Sequence, residues 1–308
     1  MEGTGAVTGN IRHVMDTISS NGETDLIVDV DRNLSGWTNI GLKPIEPVTG
    51  TTVTRRISSM VPPEGGYVPL SSMEIVQTDE GRIDIPRTLR PDVAGQCIQY
   101  YATDLYTGDH RKSTEISRMG FDRMDDVQKE TYLDLCHRFG EEEDDRRRIG
   151  LMYSISSYDE LFRSGCFTNG PEDPDITDEG ADALLEASNR VVSFMARNDP
   201  VGIWVTFPGG YTDAIRTGDA DVLCRDCLWD IKVSRYPPTR DNILQVLVYY
   251  LMGRHSNTRD LYSDVSRVGI YNPLLGKEYI VELSSISDKT LESVERDVIG
   301  YGVRCTSA

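Results

Sequence analysis

The chain has 308 residues, 38% of them apolar or aromatic and 27% charged, with a formal net charge of -18. That length can bury a proper core as one large domain or two modest ones, without disulfide or metal staples. The acidity excludes a broad electrostatic grip on nucleic acid, which takes clustered Lys and Arg, so any such site must be local.

In chain order, the opening stretch MEGTGAVTGNIRHVMDTISS lacks a basic start followed by an apolar run. It does not resemble a secretory signal, and a cytoplasmic location is the default expectation. No segment approaches the roughly 18 unbroken apolar residues of a membrane span. Residues 1 to 45 carry little periodicity around one short apolar run, Leu26 to Val30, and are expected to form a flexible arm. Residues 46 to 90 contain short Thr, Val and Ile stretches broken by Pro62-Pro63, Gly65-Gly66 and Pro69, which favours extended segments and turns.

From residue 91 the spacing changes. DVAGQCIQYYATDLYTG, DDVQKETYLDLCHRF and LMYSISSYDELFRSGCF place apolar residues three and four apart, as helices do. Between the last two lies EEEDDRRR, whose adjacent blocks of opposite charge are expected to form a solvated helix end. The stretch TNGPEDPDITDEG, residues 168 to 180, is rich in Pro, Gly and Asp and is the best boundary candidate, dividing a region at 46 to 175 from one at 176 to 308.

Beyond it, Thr177 or Asp178 can cap a helix to about residue 197. Strands are expected at IWVTF, DADVLC and LWDIKV, then a helix at about 240 to 253 after Pro237-Pro238. RVGIYNP and EYIVEL follow as strands, with a last helix over about 288 to 299. This order predicts an α/β (α+β) fold with a central mixed sheet flanked by helices.

The segment GDADVLCRDCLWDIKVS reads as two strands joined at Arg225-Asp226. A symmetric hairpin pairs Cys224 with Cys227, Leu223 with Leu228, Val222 with Trp229 and Asp221 with Asp230. Val222, Trp229, Ile231 and Val233 then make an apolar face, and Asp221, Asp230 and Lys232 fall together on the other. Two carboxylates directly opposite are destabilising without compensation, and a bound cation is the simplest compensation. Such a face suits phosphodiester hydrolysis. Asp221 and Asp230 would hold Mg²⁺ or Mn²⁺, the Ile231 carbonyl could add a neutral ligand, and Lys232 could stabilise charge on the transferring phosphate. On the following helix, Gln245 and Tyr249 lie four apart, opposite a stripe of Ile243, Leu247 and Leu251. Arg235, Arg240, Arg254 and His255 supply positive charge around the same segment.

Gly218 to Asp221 as Gly-x-x-Asp, Asp230 to Lys232 as Asp-x-Lys, and Gln245 to Tyr249 as Gln-x-x-x-Tyr resemble, in order, the three motifs of the RecB-like group of PD-(D/E)XK nucleases, over residues 209 to 255. The resemblance implies a restriction-endonuclease-like core at 176 to 308 that hydrolyses nucleic acid, DNA ahead of RNA, with Gln245 and Tyr249 orienting the catalytic strand and the substrate. The connection from Asp221 to Asp230 is short for that family, so Asp219 is an alternative or second ligand, and one metal or two remain open. Members of the group also carry an acid or His ligand on the preceding helix, for which Glu179 and Glu186 are the candidates. A module that has lost turnover and serves as a nucleic-acid or protein scaffold is the rival expectation. Six scattered cysteines are expected to be reduced, and Cys224 with Cys227 to be a cross-strand thiol pair rather than half a zinc site.

Overall fold

A computed structural model describes residues 51 to 302. The expected arm at 1 to 45, with His13, lies outside the described residues, as does Cys305. Within 51 to 90, extended and turn structure prevails, yet one short helix intervenes. Thr52 accepts a hydrogen bond from the Arg55 N–H and starts α1 (Val53–Ser58), which buries Val53 and Ile57. β1 (Glu74–Gln77) follows.

Pro91, at the first position of α2 (Pro91–Thr107), has no N–H to leave unsatisfied, and Gly108 ends the helix at φ 68°. Asp125 and Gln128 form a capping box for α3 (Asp126–Glu141), and Asp144 caps α4 (Asp145–Ser157). After α5 (Asp159–Ser164), Thr177 caps α6 (Asp178–Asn198) as expected. The expected strands appear as β2 (Gly202–Thr206), β3 (Asp219–Leu223) and β4 (Cys227–Ile231). α7 (Arg240–Arg254) starts on a capping box of Thr239 and Asn242. β5 (Arg267–Asn272) and β6 (Lys277–Glu282) precede α8 (Asp288–Ser293), which widens into a π turn over Val294–Ile299.

The six strands make one mixed sheet in the order β1-β6-β5-β4-β3-β2. β4 and β5 pair in parallel, so the chain between them crosses over through α7, while the other neighbours are antiparallel. One face of the sheet packs Val222, Trp229, Ile231 and Tyr271 under α2, α4 and α6. The other packs Leu223, Leu228, Val268, Ile270 and Val281 under α7, α1 and the π turn. Trp229 sits across from Gly269, where a Cβ would lie 2.2 Å from the indole, so only glycine leaves room for the ring.

This packing revises two sequence expectations. Residues 168 to 180 do not separate two folding units: α2 lies against α6, β1 is hydrogen-bonded to β6, and residues from 83 to 280 share one core. The EEEDDRRR block is only partly solvated. Arg146 pairs with Asp182 at the surface, but Arg148 turns inward over the Phe139 ring and donates to the buried Asp104 at 2.7 Å. Among the described residues, no helix is long and apolar enough to cross a membrane.

Candidate active site

The hairpin forms in the expected register, with Val222 opposite Trp229 and Leu223 opposite Leu228. Cys224 and Cys227 close it through the Cys224 N–H, which donates to the Cys227 carbonyl at 2.9 Å. Past Val222 the backbone ladder gives way to a side chain. The Ile231 N–H donates to Asp221 Oδ2 at 2.5 Å, fixing that carboxylate beside Asp230. Lys232 Nζ forms an ion pair with Asp230 Oδ2 at 3.0 Å, and among the described residues no other donor reaches this buried oxygen.

α7 supplies the other side. Gln245 Nε2 donates to the Tyr249 hydroxyl at 2.9 Å and reaches Asp230 Oδ1 at 3.4 Å. The sequence placed these two residues opposite an apolar stripe, but the helix is buried nearly all round, because the sheet covers one flank and α1 with the π turn another. Gly218 allows this closeness: a Cβ there would stand 2.9 Å from Val53 and 3.1 Å from the Tyr249 ring.

The electrostatics follow from three acids and one ammonium gathered closely, Asp230 buried and Asp219, Asp221 and Lys232 partly exposed. Burial pushes the Asp221 carboxyl well above the ordinary carboxylate range, the Asp230 charge adds to it, and Lys232 and the Ile231 N–H pull it back. Asp219, on the same strand, is raised by burial too, with Arg163 opposing and Asp159 and Asp230 reinforcing. Burial alone would lower Lys232, but Asp230 and Asp221 outweigh it and its pKa rises, so it stays an ammonium. Tyr249 is held well above its usual value by burial and the charges of Asp219 and Asp230, and remains a neutral phenol.

Several contributors come from the helical layer, where motif spacing gave no signal. The Ile231 carbonyl, an expected ligand, accepts from Gln99 Nε2 of α2 at 3.1 Å, which leaves it one lone pair for another partner. Trp204 of β2 falls opposite Asp221 in the register and has φ 53°, a conformation rare for a bulky residue. Its indole rests edge-on against Tyr100 of α2 at 5.3 Å, in the same core as its neighbour Ile203, so the alternation of the strand is broken. The strained backbone, costing on the order of 1–3 kcal/mol, turns a large ring away from the carboxylates.

Other expectations are not met. Glu179 is exposed near the start of α6, and Glu186 is exposed and bonded to Arg190 at 2.9 Å, since the apolar face of α6 is turned to the sheet. Arg235, Arg240, Arg254 and His255 do not form one cluster. Arg235 donates to the Ile85 carbonyl near the end of β4, and Arg240 is exposed at the start of α7. Arg254 ends the same helix, roughly 21 Å further along at 1.5 Å per residue. His255 is engaged by Glu295 at 2.8 Å and stacks on Tyr301.

Among the described residues, no three His, Cys, Asp or Glu side chains converge as a metal cluster, and the five described cysteines are free. Asp221, Asp230 and the Ile231 carbonyl still fit a hard cation that keeps several waters, because the two carboxylates act on each other as like charges with one ammonium, Lys232, beside them. A surface depression of about 430 Å³ lined by Gln77, Arg82 and Lys277 lies at the β1–β6 edge, with β5 between it and β4. Comparison of the chain with protein-family models, with curated proteins and with solved structures found no match.

Proposed function

We propose that the chain is a metal-dependent nuclease that hydrolyses phosphodiester bonds, of DNA ahead of RNA. The observation that carries this is the gathering of Asp221 and Asp230, two like charges that act on each other, beside a single ammonium, Lys232, 3.0 Å from Asp230 Oδ2. A carboxylate pair with one ammonium and one long amide contact keeps an excess of negative charge, which favours a further cationic ligand. The order α6, β2, β3, β4, α7, β5, with α7 carrying the chain to a parallel neighbour, agrees with the core that the three sequence motifs imply.

Asp221, Asp230 and the Ile231 carbonyl would hold Mg²⁺ or Mn²⁺, which when bound polarises the phosphate and activates the attacking water. The protein groups do the rest. The Ile231 N–H and Gln99 keep the two strands and their carboxylates in place. Gln245, steadied by Tyr249, orients Asp230. Lys232, kept protonated by its acidic neighbours, stabilises negative charge growing on the phosphate oxygens. Because the Asp221 proton must leave before the carboxylate can serve as a ligand, cation affinity increases with pH.

The test is cleavage of labelled single- and double-stranded DNA and RNA with Mg²⁺ or Mn²⁺. The wild type is expected to cut, Asp230→Ala to abolish cleavage, and Lys232→Ala to slow it by about 10²-fold or more. A wild type that cuts nothing and shows no Asp230-dependent metal binding by calorimetry would leave the rival in place, a nuclease-like scaffold without turnover.

A further inference from the structure

One buried polar network has no part in the chemistry above. Asp159, at the start of α5 and 0% exposed, accepts from Gln96 Nε2 at 2.6 Å, Tyr100 Oη at 3.0 Å and Arg163 Nε at 2.6 Å. Three donors fix Asp159, and Asp159 in turn fixes Arg163, whose side chain remains 49% exposed. The network stands against the catalytic hairpin. The Tyr100 ring meets Trp204, the residue opposite Asp221, and Gln99 on the same helix holds the Ile231 carbonyl. Arg163 lies one helical turn beyond Asp159, whose partner Tyr100 reaches from it to Trp204 beside the hairpin.

A phosphodiester approaching Asp219, Asp221 and Asp230 meets repulsion that one ammonium, already in contact with Asp230, does little to offset. The arginines expected to supply more charge are tied to a carbonyl or spread along α7. A guanidinium held by its Nε keeps its outer nitrogens in a planar fork suited to phosphate oxygens. We infer that Arg163 is a phosphate-binding residue of the candidate active site, positioned by Asp159, Tyr100 and Gln96, and that it clamps the nucleic-acid backbone from the helical layer. This rests on the nuclease reading for the identity of the ligand.

The test separates binding from cleavage. Binding of fluorescein-labelled 20-mer DNA, single-stranded and duplex, is measured on the full chain carrying Asp230→Asn, over a range of salt concentrations. Adding Arg163→Gln is expected to weaken binding about tenfold. It should also lower the slope of log affinity against log salt by about one phosphate contact, while Arg163→Lys retains most of the slope. Because Arg163→Gln leaves Asp159 buried with one fewer donor, Asp159→Asn combined with Arg163→Gln is measured beside it as a neutral pair. A neutral-pair variant that melts like the parent and keeps its affinity and salt slope overturns the inference. Loss of slope in a protein whose wild type cuts nothing sustains the phosphate contact while the enzyme reading fails.

Discussion

Asp104 and Asp230 are both carboxylates sunk in the core, 2% and 3% exposed, yet they are held in opposite ways. Asp104 is saturated: His110 Nδ1 at 2.5 Å, Ser113 Oγ at 3.0 Å and Arg148 Nη2 at 2.7 Å converge on it. Asp230 has a long contact from Gln245 on one oxygen and a single ammonium, Lys232, at 3.0 Å on the other. The first arrangement ties α2, the turn after it and α4 together. The second has fewer donors and sets a like charge, Asp221, beside the acid.

The largest expected effect sharpens that contrast. Asp104→Ala leaves Arg148 facing an empty buried position and should cost about 3–5 kcal/mol in urea unfolding. Asp230→Asn removes a like charge beside Asp221 and should shift stability by no more than about 1 kcal/mol while ending cleavage. Equal destabilisation by the two would make Asp230 a structural acid and erase the distinction.

A smaller effect concerns pH. The folded state binds the Asp221 proton more tightly than the unfolded chain does, because burial raises its pKa. The resulting stability is present at acid pH and declines as pH rises from about 3.9 through the raised folded value, with Asp219 adding to the same trend. In metal-free buffer, Asp221→Asn should flatten this decline in Tm between pH 4 and 8. An unchanged slope would mean that the carboxylate is better solvated than its surroundings indicate.

The smallest effect belongs to the structural cluster. The hydrogen bond to Asp104 raises the His110 pKa against the opposing influence of burial. Its contribution is therefore complete below the ordinary histidine value of about 6.5 and is lost as pH rises through the folded value. Tm measurements from pH 5.5 to 9 should show a shallow fall that His110→Gln removes. Since the ring is half exposed, solvent screening keeps the change small. A steep fall would place the histidine deeper in the network than its geometry shows.

The strands, α6, α7 and the hairpin register were legible because each rests on short-range rules: alternation, helical spacing, caps and a two-residue turn. Asp221, Asp230 and Lys232 came from those same rules, and so did the pairing of Gln245 with Tyr249. What failed depended on distance. Glu179 and Glu186 were plausible by their place on the preceding helix, but the orientation of α6 sends them to solvent. Arg254 and His255 look close to Arg240 in sequence, and a straight helix carries them away.

From residue 176 onward the sequence by itself determined which backbone segments become strands and helices and which face of the β3–β4 hairpin carries the acids, since both follow from neighbours a few residues apart. Only the tertiary structure decided that α2, more than a hundred residues upstream, braces β4 through Gln99, and that the same helix holds Asp159 through Gln96 and Tyr100. It also decided that Trp204 turns aside from Asp221. Those arrangements depend on how two helical layers close over one sheet, and contacts between residues so far apart leave no periodic trace in the chain.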